Sequence, residues 1–159
     1  EKVKNYLLLN NRADEKDAEI FAEYSEGSIG KALAFAGSEE FSKLRDNVRE
    51  ILKNISKMSW FDLTAAAAGL EEYRELADIT DMIYLWYRDV LVYKTTQNEG
   101  LIIEKDLTPA IKTEADRASF EGLYKIPKLI NETKKQIRQN VNFVFALEML
   151  FINIKGELS

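Results

Sequence analysis

The sequence predicts an all-α fold, on the strength of three observations. The chain has only two prolines and seven glycines in 159 residues, and long stretches without either residue favour helices. Apolar residues recur at a spacing of three or four in most of these stretches, which is the period of an α-helix. The composition, 46% apolar and 31% charged, suits a buried core under a polar surface. We therefore expect about eight helices and no sheet.

Three short helices are predicted in the first part of the chain. The first covers residues 3–9. Asp14 is placed to cap a second helix that runs towards Ser25, and Ser28 is placed to cap a third helix that ends at Gly37. A short polar side chain before a helix accepts a free backbone N–H, and a glycine is the usual residue just after the helix.

The next two helices carry stronger signals. Ser38 opens a longer helix with two glutamates in its first turn, where the helix dipole favours negative charge. Ser59 with Asp62 has the spacing of a capping box for the helix that follows, through residues 65–68. The clearest amphipathic stripe in the chain lies on the Ser38 helix and consists of Phe41, Leu44, Val48, Ile51, Leu52 and Ile55.

The middle of the chain predicts a central helix. Residues 76–95 are apolar on most of their surface, which is typical of a helix buried among several neighbours. An Asn-Glu-Gly sequence closes it, and residues 101–103 form a short apolar run that fits either a strand or packed coil. Thr108 followed by Pro109 has the pattern of a cap and first turn for another helix.

Two helices are predicted at the C-terminal end. One covers residues 119–139, and Pro127 inside it predicts a kink or a later start. Asn142 is placed to cap the last helix, with apolar residues facing inward: Phe143, Val144, Leu147, Leu150, Phe151 and Ile154. Because helices before residue 38 are short and later ones are long, we expect two units, residues 1–37 and residues 38–159. The sequence begins inside a predicted helix, so we expect a piece of a longer protein.

The composition excludes several classes of function. Cysteine and histidine are both absent, which removes thiol catalysis, disulfides, Cys/His metal sites and histidine acid–base chemistry. The net charge of −5 argues against a main phosphate-neutralising surface for nucleic acid. No apolar run is long enough to span a membrane. We expect no catalytic residue, no metal and no cofactor.

The most informative motif is a joint between two short helices, formed by Ser25, Gly27, Ser28, Gly30 and Lys31. Read from the residues alone, it is an ordinary turn and cap, although the free N–H groups there are also able to face an anion. The motif resembles the sensor-2 joint in the lid of clamp-loader AAA+ subunits. In the ATP-hydrolysing subunits an arginine stands where this chain has Gly30, so the resemblance implies a degenerate joint without nucleotide sensing.

Two further motifs extend this resemblance along the chain. One runs from Trp86 through Tyr87, Arg88 and Asp89 to Leu91, with Lys94 after it. The other is Asn140-Val141-Asn142, followed by Ala146-Leu147-Glu148. Together they resemble the C-terminal region of the delta prime subunit of bacterial DNA polymerase III clamp loaders, of the Gram-positive type.

The resemblance implies the end of an AAA+ lid followed by a helical collar domain that acts as a non-catalytic scaffold. The implied partners are the tau/gamma and delta subunits of a hetero-pentamer in the bacterial cytoplasm. DNA would be contacted only indirectly, and no membrane would be involved. The candidate interface residues are Trp86, Tyr87, Arg88, Asp89, Tyr93, Lys94, Asn140, Asn142, Phe143, Phe145 and Phe151. Of the aromatic residues among them, Tyr87, Tyr93, Phe143, Phe145 and Phe151 are expected to be exposed.

Other interpretations stay open from the sequence. The chain is also compatible with the collar of a gamma/tau-type subunit, with an unrelated helical adaptor, or with a ligand-binding or enzymatic helical bundle. The last requires a pocket, for example one lined by Arg88, Asp89 and Lys94. The sequence leaves open whether Arg88 and Asp89 form a solvated pair or part of a network between helices. The basic set Lys128, Lys134, Lys135 and Arg138 is expected to be a solvated helix face, with contact to DNA as the alternative.

Overall fold

The computed structural model describes residues 1–76 and 78–159, and it confirms the all-α prediction. This part of the chain contains nine α-helices and three short 3-10 turns, with no strand. The helices are α1 (Lys2–Leu9), α2 (Glu15–Tyr24), α3 (Ile29–Ala36), α4 (Glu39–Asn54), α5 (Trp60–Gly69), α6 (Ile79–Thr96), α7 (Thr108–Arg117), α8 (Phe120–Arg138) and α9 (Phe143–Leu158).

The predicted helix starts are mostly confirmed by hydrogen bonds. The side chains of Asp14, Ser28, Ser38 and Asn142 each accept a backbone N–H from the first turn of the following helix. The Ser59 capping box is also formed, because Asp62 accepts the Ser59 N–H in return. These capping interactions form within one turn of a helix, so they can be predicted from the sequence without knowledge of the fold.

Several sequence-based details were wrong. Helix α6 begins at Ile79 and not near residue 76, because Asp78 caps it; Ala77 lies outside the described residues. Thr108 is already the first residue of α7, and its hydroxyl donates to the carbonyl of Lys105 instead of capping the helix. Helix α8 begins directly after Ser119, so Pro127 does not delay its start. For the run at 101–103 the sequence left a strand or packed coil open; Leu101 ends a 3-10 turn and the rest of the run is packed coil, which is the second alternative.

Helix α6 lies at the centre of the bundle and contacts α4, α7 and α8. Its buried residues cover more than one face, including Ile83, Trp86, Tyr87 and Val90. This matches the prediction from its nearly continuous apolar surface. Helix α8 also packs along α9, and α5 packs against α9. The contacts thus connect the long helices in the order α4, α6, α8, α9 and α5.

The three N-terminal helices join this bundle through aromatic residues. Phe41 lies at the start of α4. The centroid of its ring is 4.2 Å from that of Phe35 in α3 and 5.9 Å from those of Phe21 and Tyr24 in α2. All four side chains are buried in one continuous core. Burial of this cluster holds α2 and α3 against the first long helix of the bundle.

Candidate interaction surface

The structure divides the predicted interface residues into two groups. Trp86, Tyr87, Asp89, Tyr93 and Phe151 are buried in the core of the chain. The expectation that Tyr87, Tyr93 and Phe151 would be exposed is therefore wrong, because α6 and α9 have neighbours on more faces than their sequences reveal. The remaining members are exposed or half-buried, and only these are accessible at the surface: Arg88, Lys94, Asn140, Asn142, Phe143 and Phe145.

Asp89 is an internal support of the fold. Its carboxylate is fully buried and accepts the backbone N–H groups of Ile103 and Glu104, both at 2.9 Å. It also accepts a hydrogen bond from Arg88 at 2.5 Å. The Arg88–Asp89 pair is thus part of a buried network and not a solvated pair. The network anchors the coil after α6, which explains why an acidic residue stands in such an apolar helix.

A second buried network lies next to it and was not predicted. Glu104, 2% exposed, accepts hydrogen bonds from Arg49 at 3.0 Å and from the hydroxyl of Tyr24 at 3.3 Å. Arg49 also pairs with Asp106 at 3.0 Å. Burial raises the pKa of Glu104, although Arg49 opposes the shift. The network connects α2, α4 and the coil before α7, so it reinforces the contact between the N-terminal helices and the bundle.

Sequence reasoning missed this network for a physical reason. Arg49, Glu104 and Tyr24 are distant in the chain, and each residue type is commonly solvated when its surroundings are unknown. One indirect signal existed, since Arg49 lies one residue from the apolar stripe of α4. That signal is weak, because Lys43 and Lys53 lie equally close to the stripe and are exposed.

The joint between α2 and α3 has the geometry of a turn and cap. Gly27 has a φ of +86°, which glycine adopts at little cost. The Ser28 hydroxyl accepts the N–H of Lys31. The Lys31 ammonium lies 3.6 Å from the Glu26 carboxylate, and both side chains are largely exposed. The Ser25 hydroxyl donates to the carbonyl of Ala22. These contacts account for the joint without a bound anion.

Helices α5 and α9 carry several large apolar side chains that are exposed. Trp60 is 67% exposed and Phe61 81% exposed at the start of α5, and Phe145 is 56% exposed on α9. Met149 follows Phe145 by one turn and is exposed too. Four alanines occupy the second half of α5. We call these exposed side chains on α5 and α9 the α5–α9 face.

Two contacts bring the helices of this face together. The Thr64 hydroxyl donates to the Glu148 carboxylate at 2.6 Å, and the Lys155 ammonium donates to the carbonyl of Met58. Residues later in α5 thus lie beside residues earlier in α9, so the two helices run antiparallel. The exposed side chains of the α5–α9 face thus stand on two helices that are in direct contact.

The clefts of the molecule do not form a catalytic arrangement from the predicted residues. The cleft of about 410 Å³ between the α2–α3 joint and the end of α8 has basic and acidic side chains in balance: Lys31, Arg74, Lys134, Arg138, Glu26, Glu75, Asp78 and Asp81. Lys134 pairs with both Asp78 and Asp81, so it does not belong to a solvated basic face. Asp89 binds backbone N–H groups, and Lys94 donates to the carbonyl of Ala115.

Two other kinds of feature are absent from the residues that the structure describes. No group of three or more acidic side chains there is arranged to hold a metal ion. Among the helices described, none combines the length and apolar character needed to cross a membrane.

Comparison with known proteins gives one match. The family described as "DNA polymerase III, delta subunit, C terminal" matches residues 39–156, which is most of the chain. No curated protein matches, and no solved structure matches.

Proposed function

Because the chain belongs to the family formed by the C-terminal domains of the DNA polymerase III delta subunit, a clamp-loader family of non-catalytic scaffold domains, we propose that its bundle holds other clamp-loader subunits through the α5–α9 face. The observation that carries this proposal is the exposure of Trp60 and Phe61 on α5 and of Phe145 on α9, two helices that pack together. Large exposed apolar groups that cluster on one surface are typical of protein contacts.

The energetics of the face favour a contact centred on its aromatic residues. Tryptophan is enriched among the few residues that dominate interface energies, and the truncation of such a residue costs about 2 kcal/mol or more. Trp60 and Phe61 are held at the start of α5 by the Ser59–Asp62 capping box. A rigid helix start loses little conformational freedom on binding, which leaves more of the contact energy for affinity.

A binding assay with matched variants tests the proposal. In the double variant Trp60→Ser/Phe61→Ser, affinity for the other purified clamp-loader subunits should fall by about thirtyfold, the equivalent of about 2 kcal/mol. Leu9→Ser is the control, since Leu9 is 84% exposed on α1, away from this face. Both variants should keep the helical circular dichroism of the parent. Equal binding by the double variant and the parent would contradict the assignment of this face.

The type of subunit is a finer question. The Gly30 joint favours delta prime, whereas the matched family is described by its delta subunit. Reconstitution distinguishes delta prime from delta, because each subunit type completes only a mixture of clamp-loader subunits from which that type has been left out. A delta prime chain should assemble with tau and delta, and a delta chain should assemble with tau and delta prime. Native mass spectrometry of both mixtures gives the answer.

The two-unit organisation also belongs to the proposal. The family match begins at residue 39, directly after the boundary expected at Ser38, which supports a collar unit over residues 38–159. Residues 1–37 would then be the end of a lid. The aromatic contacts of Phe41 with Phe21 and Phe35 support a close attachment of this lid to the collar. A role in a bacterial replisome would place the protein in the cytoplasm.

A further inference from the structure

Helix α8 presents a line of side chains without a carboxylate on its outer side. The line consists of Phe120, Tyr124, Lys128, Asn131, Lys135 and Arg138, all of which are exposed. At about 100° per residue, these six positions fall within an arc of about 80°. Glu121 and Glu132 lie just beyond its edge. We call this line of side chains the α8 seam.

The spacing of the residues in the α8 seam is typical of a helix surface that packs along a second helix. From Tyr124 onwards, its residues follow one another at intervals of four, three, four and three. This repeat averages 3.5 residues, so the line stays nearly parallel to the helix axis and a second helix can lie along it. The line is about 27 Å long from Phe120 to Arg138 at about 1.5 Å per residue.

The cations of the α8 seam are available to a partner. The ion pairs of α8 among the described residues involve Lys125, Lys128 and Lys134, and none involves Lys135 or Arg138. Lys128 is 3.9 Å from Glu132, and both side chains are more than half exposed. An exposed pair of this kind contributes little and exchanges readily for another partner.

The aromatic end of the α8 seam is built for an apolar contact. The rings of Phe120 and Tyr124 are stacked, with centroids 6.4 Å apart and an angle of 26° between them. The Lys94 ammonium lies 5.0 Å from the centroid of the Phe120 ring. Both rings are therefore engaged with other side chains on one surface. Single-stranded nucleic acid prefers successive rings with free faces, so this end fits apolar side chains better than stacked bases.

From these features we infer that the α8 seam binds an acidic amphipathic helix of a partner protein. Apolar side chains of that helix would cover Phe120 and Tyr124. Carboxylates at intervals of three and four would face Lys128, Lys135 and Arg138. The complementarity of charge selects an acidic partner over a basic one, and the 3.5-residue repeat selects a helix over an extended segment. The seam lies on α8, apart from the α5–α9 face, so this inference does not rest on the proposed function.

The test uses three fluorescein-labelled probes and the whole chain. The first is a synthetic helical peptide of about 18 residues, matched to the length of α8, with leucines at one end and glutamates on the 3,4 repeat. The second is a scrambled peptide of the same composition. The third is an oligo-dT strand of about 15 nucleotides, within the range that single-strand-binding proteins cover. Binding is followed by fluorescence anisotropy at low and moderate salt.

Charge-reversal variants locate the binding surface. Lys128→Glu/Lys135→Glu/Arg138→Glu should weaken binding of the first peptide on the order of tenfold and reverse its salt dependence, because salt would then screen a repulsion between like charges. Tyr124→Ser should weaken it with the salt dependence unchanged. The control, Lys16→Glu/Lys43→Glu/Lys57→Glu, makes the same charge change at exposed lysines elsewhere and should weaken binding much less. Circular dichroism of each variant verifies its fold.

Four results would overturn the inference. One is the absence of binding by the helical peptide. A second is equal binding by the scrambled peptide, and a third is tighter binding by oligo-dT, which would make the seam a nucleic-acid surface. The last is an equal loss in the control variant, since binding would then follow net charge and not the seam. None of these results depends on the α5–α9 face.

Discussion

The closest backbone approach at any glycine of the chain lies between α8 and α9, and it leads to a sharp prediction. A Cβ atom added to Gly122 would lie 2.1 Å from the carbonyl oxygen of Glu157, whereas ordinary contact begins at 3.4 Å. The obstacle is backbone and not a flexible side chain, so Gly122→Ala requires the helices to separate by about 1 Å. Gly156, in the last turn of α9, has no atom within 4 Å of an added Cβ.

The expected changes in the free energy of unfolding have opposite signs at Gly122 and Gly156. Overpacking at Gly122 should cost about 1–3 kcal/mol, and the higher helix propensity of alanine offsets at most about 1 kcal/mol. Gly122→Ala should therefore lower Tm by several degrees, at about 2–4 °C per kcal/mol for a chain of this size. Gly156→Ala meets no obstacle and should stabilise by up to about 1 kcal/mol.

Urea unfolding and thermal unfolding, both followed by circular dichroism, measure these differences. Gly156→Ala serves as the matched control, because it makes the same substitution in the helix that Gly122 contacts. If Gly122→Ala is as stable as Gly156→Ala or more stable, the close approach of α8 and α9 is refuted, because both variants gain the helix propensity of alanine and only the first meets an obstacle. A loss of stability at both positions would instead mean that added helix propensity has no benefit here.

Three further predictions concern the core. Asp89→Ala should cost at least about 2 kcal/mol in urea unfolding, because two buried N–H groups lose their acceptor at about 1–3 kcal/mol each; an unchanged midpoint would refute the role of Asp89. Phe41→Ala should cost about 3–5 kcal/mol, and amide hydrogen exchange should then rise in α2 and α3, whose rings it contacts. The pKa of Glu104 is raised in the folded chain, so the parent should lose stability relative to Glu104→Gln as pH rises from about 4.3, the ordinary glutamate value, through the raised pKa. Unfolding both proteins at a series of pH values from about 4 upwards, starting just below the ordinary glutamate value, checks the sign, and a parent that gains on the variant with rising pH would contradict it.

Predictions from the sequence succeeded where the physical cause is local. Asp14, Ser28, Ser38 and Asn142 cap helices because each side chain needs only the N–H groups of the next turn. The amphipathic stripe of α4 likewise follows from its own spacing. These signals gave the fold class and most helix starts, because the backbone hydrogen bonds of a helix close within four residues.

Prediction failed where burial depends on neighbours. The sequences of α6 and α9 both contain more apolar residues than one buried helix face needs. From this excess of apolar residues we predicted contacts with other proteins. In α6 it is covered by α4, α7 and α8, and in α9 Phe151 is covered while Phe145 is not. The periodicity of a helix does not reveal how many neighbours surround it. For this reason the exposure of Trp60 and Phe61 was not predicted.

The sequence by itself determined an all-α chain without thiol or imidazole chemistry, its caps and its family resemblance, since these depend on residue types and short spacings. Only the tertiary structure decided which apolar residues face solvent, that Asp89 and Glu104 support the core, and that α5 and α9 pack together in antiparallel orientation. The physical reason is that burial and pairing are set by residues far apart in the chain, whose meeting depends on how all the helices pack together.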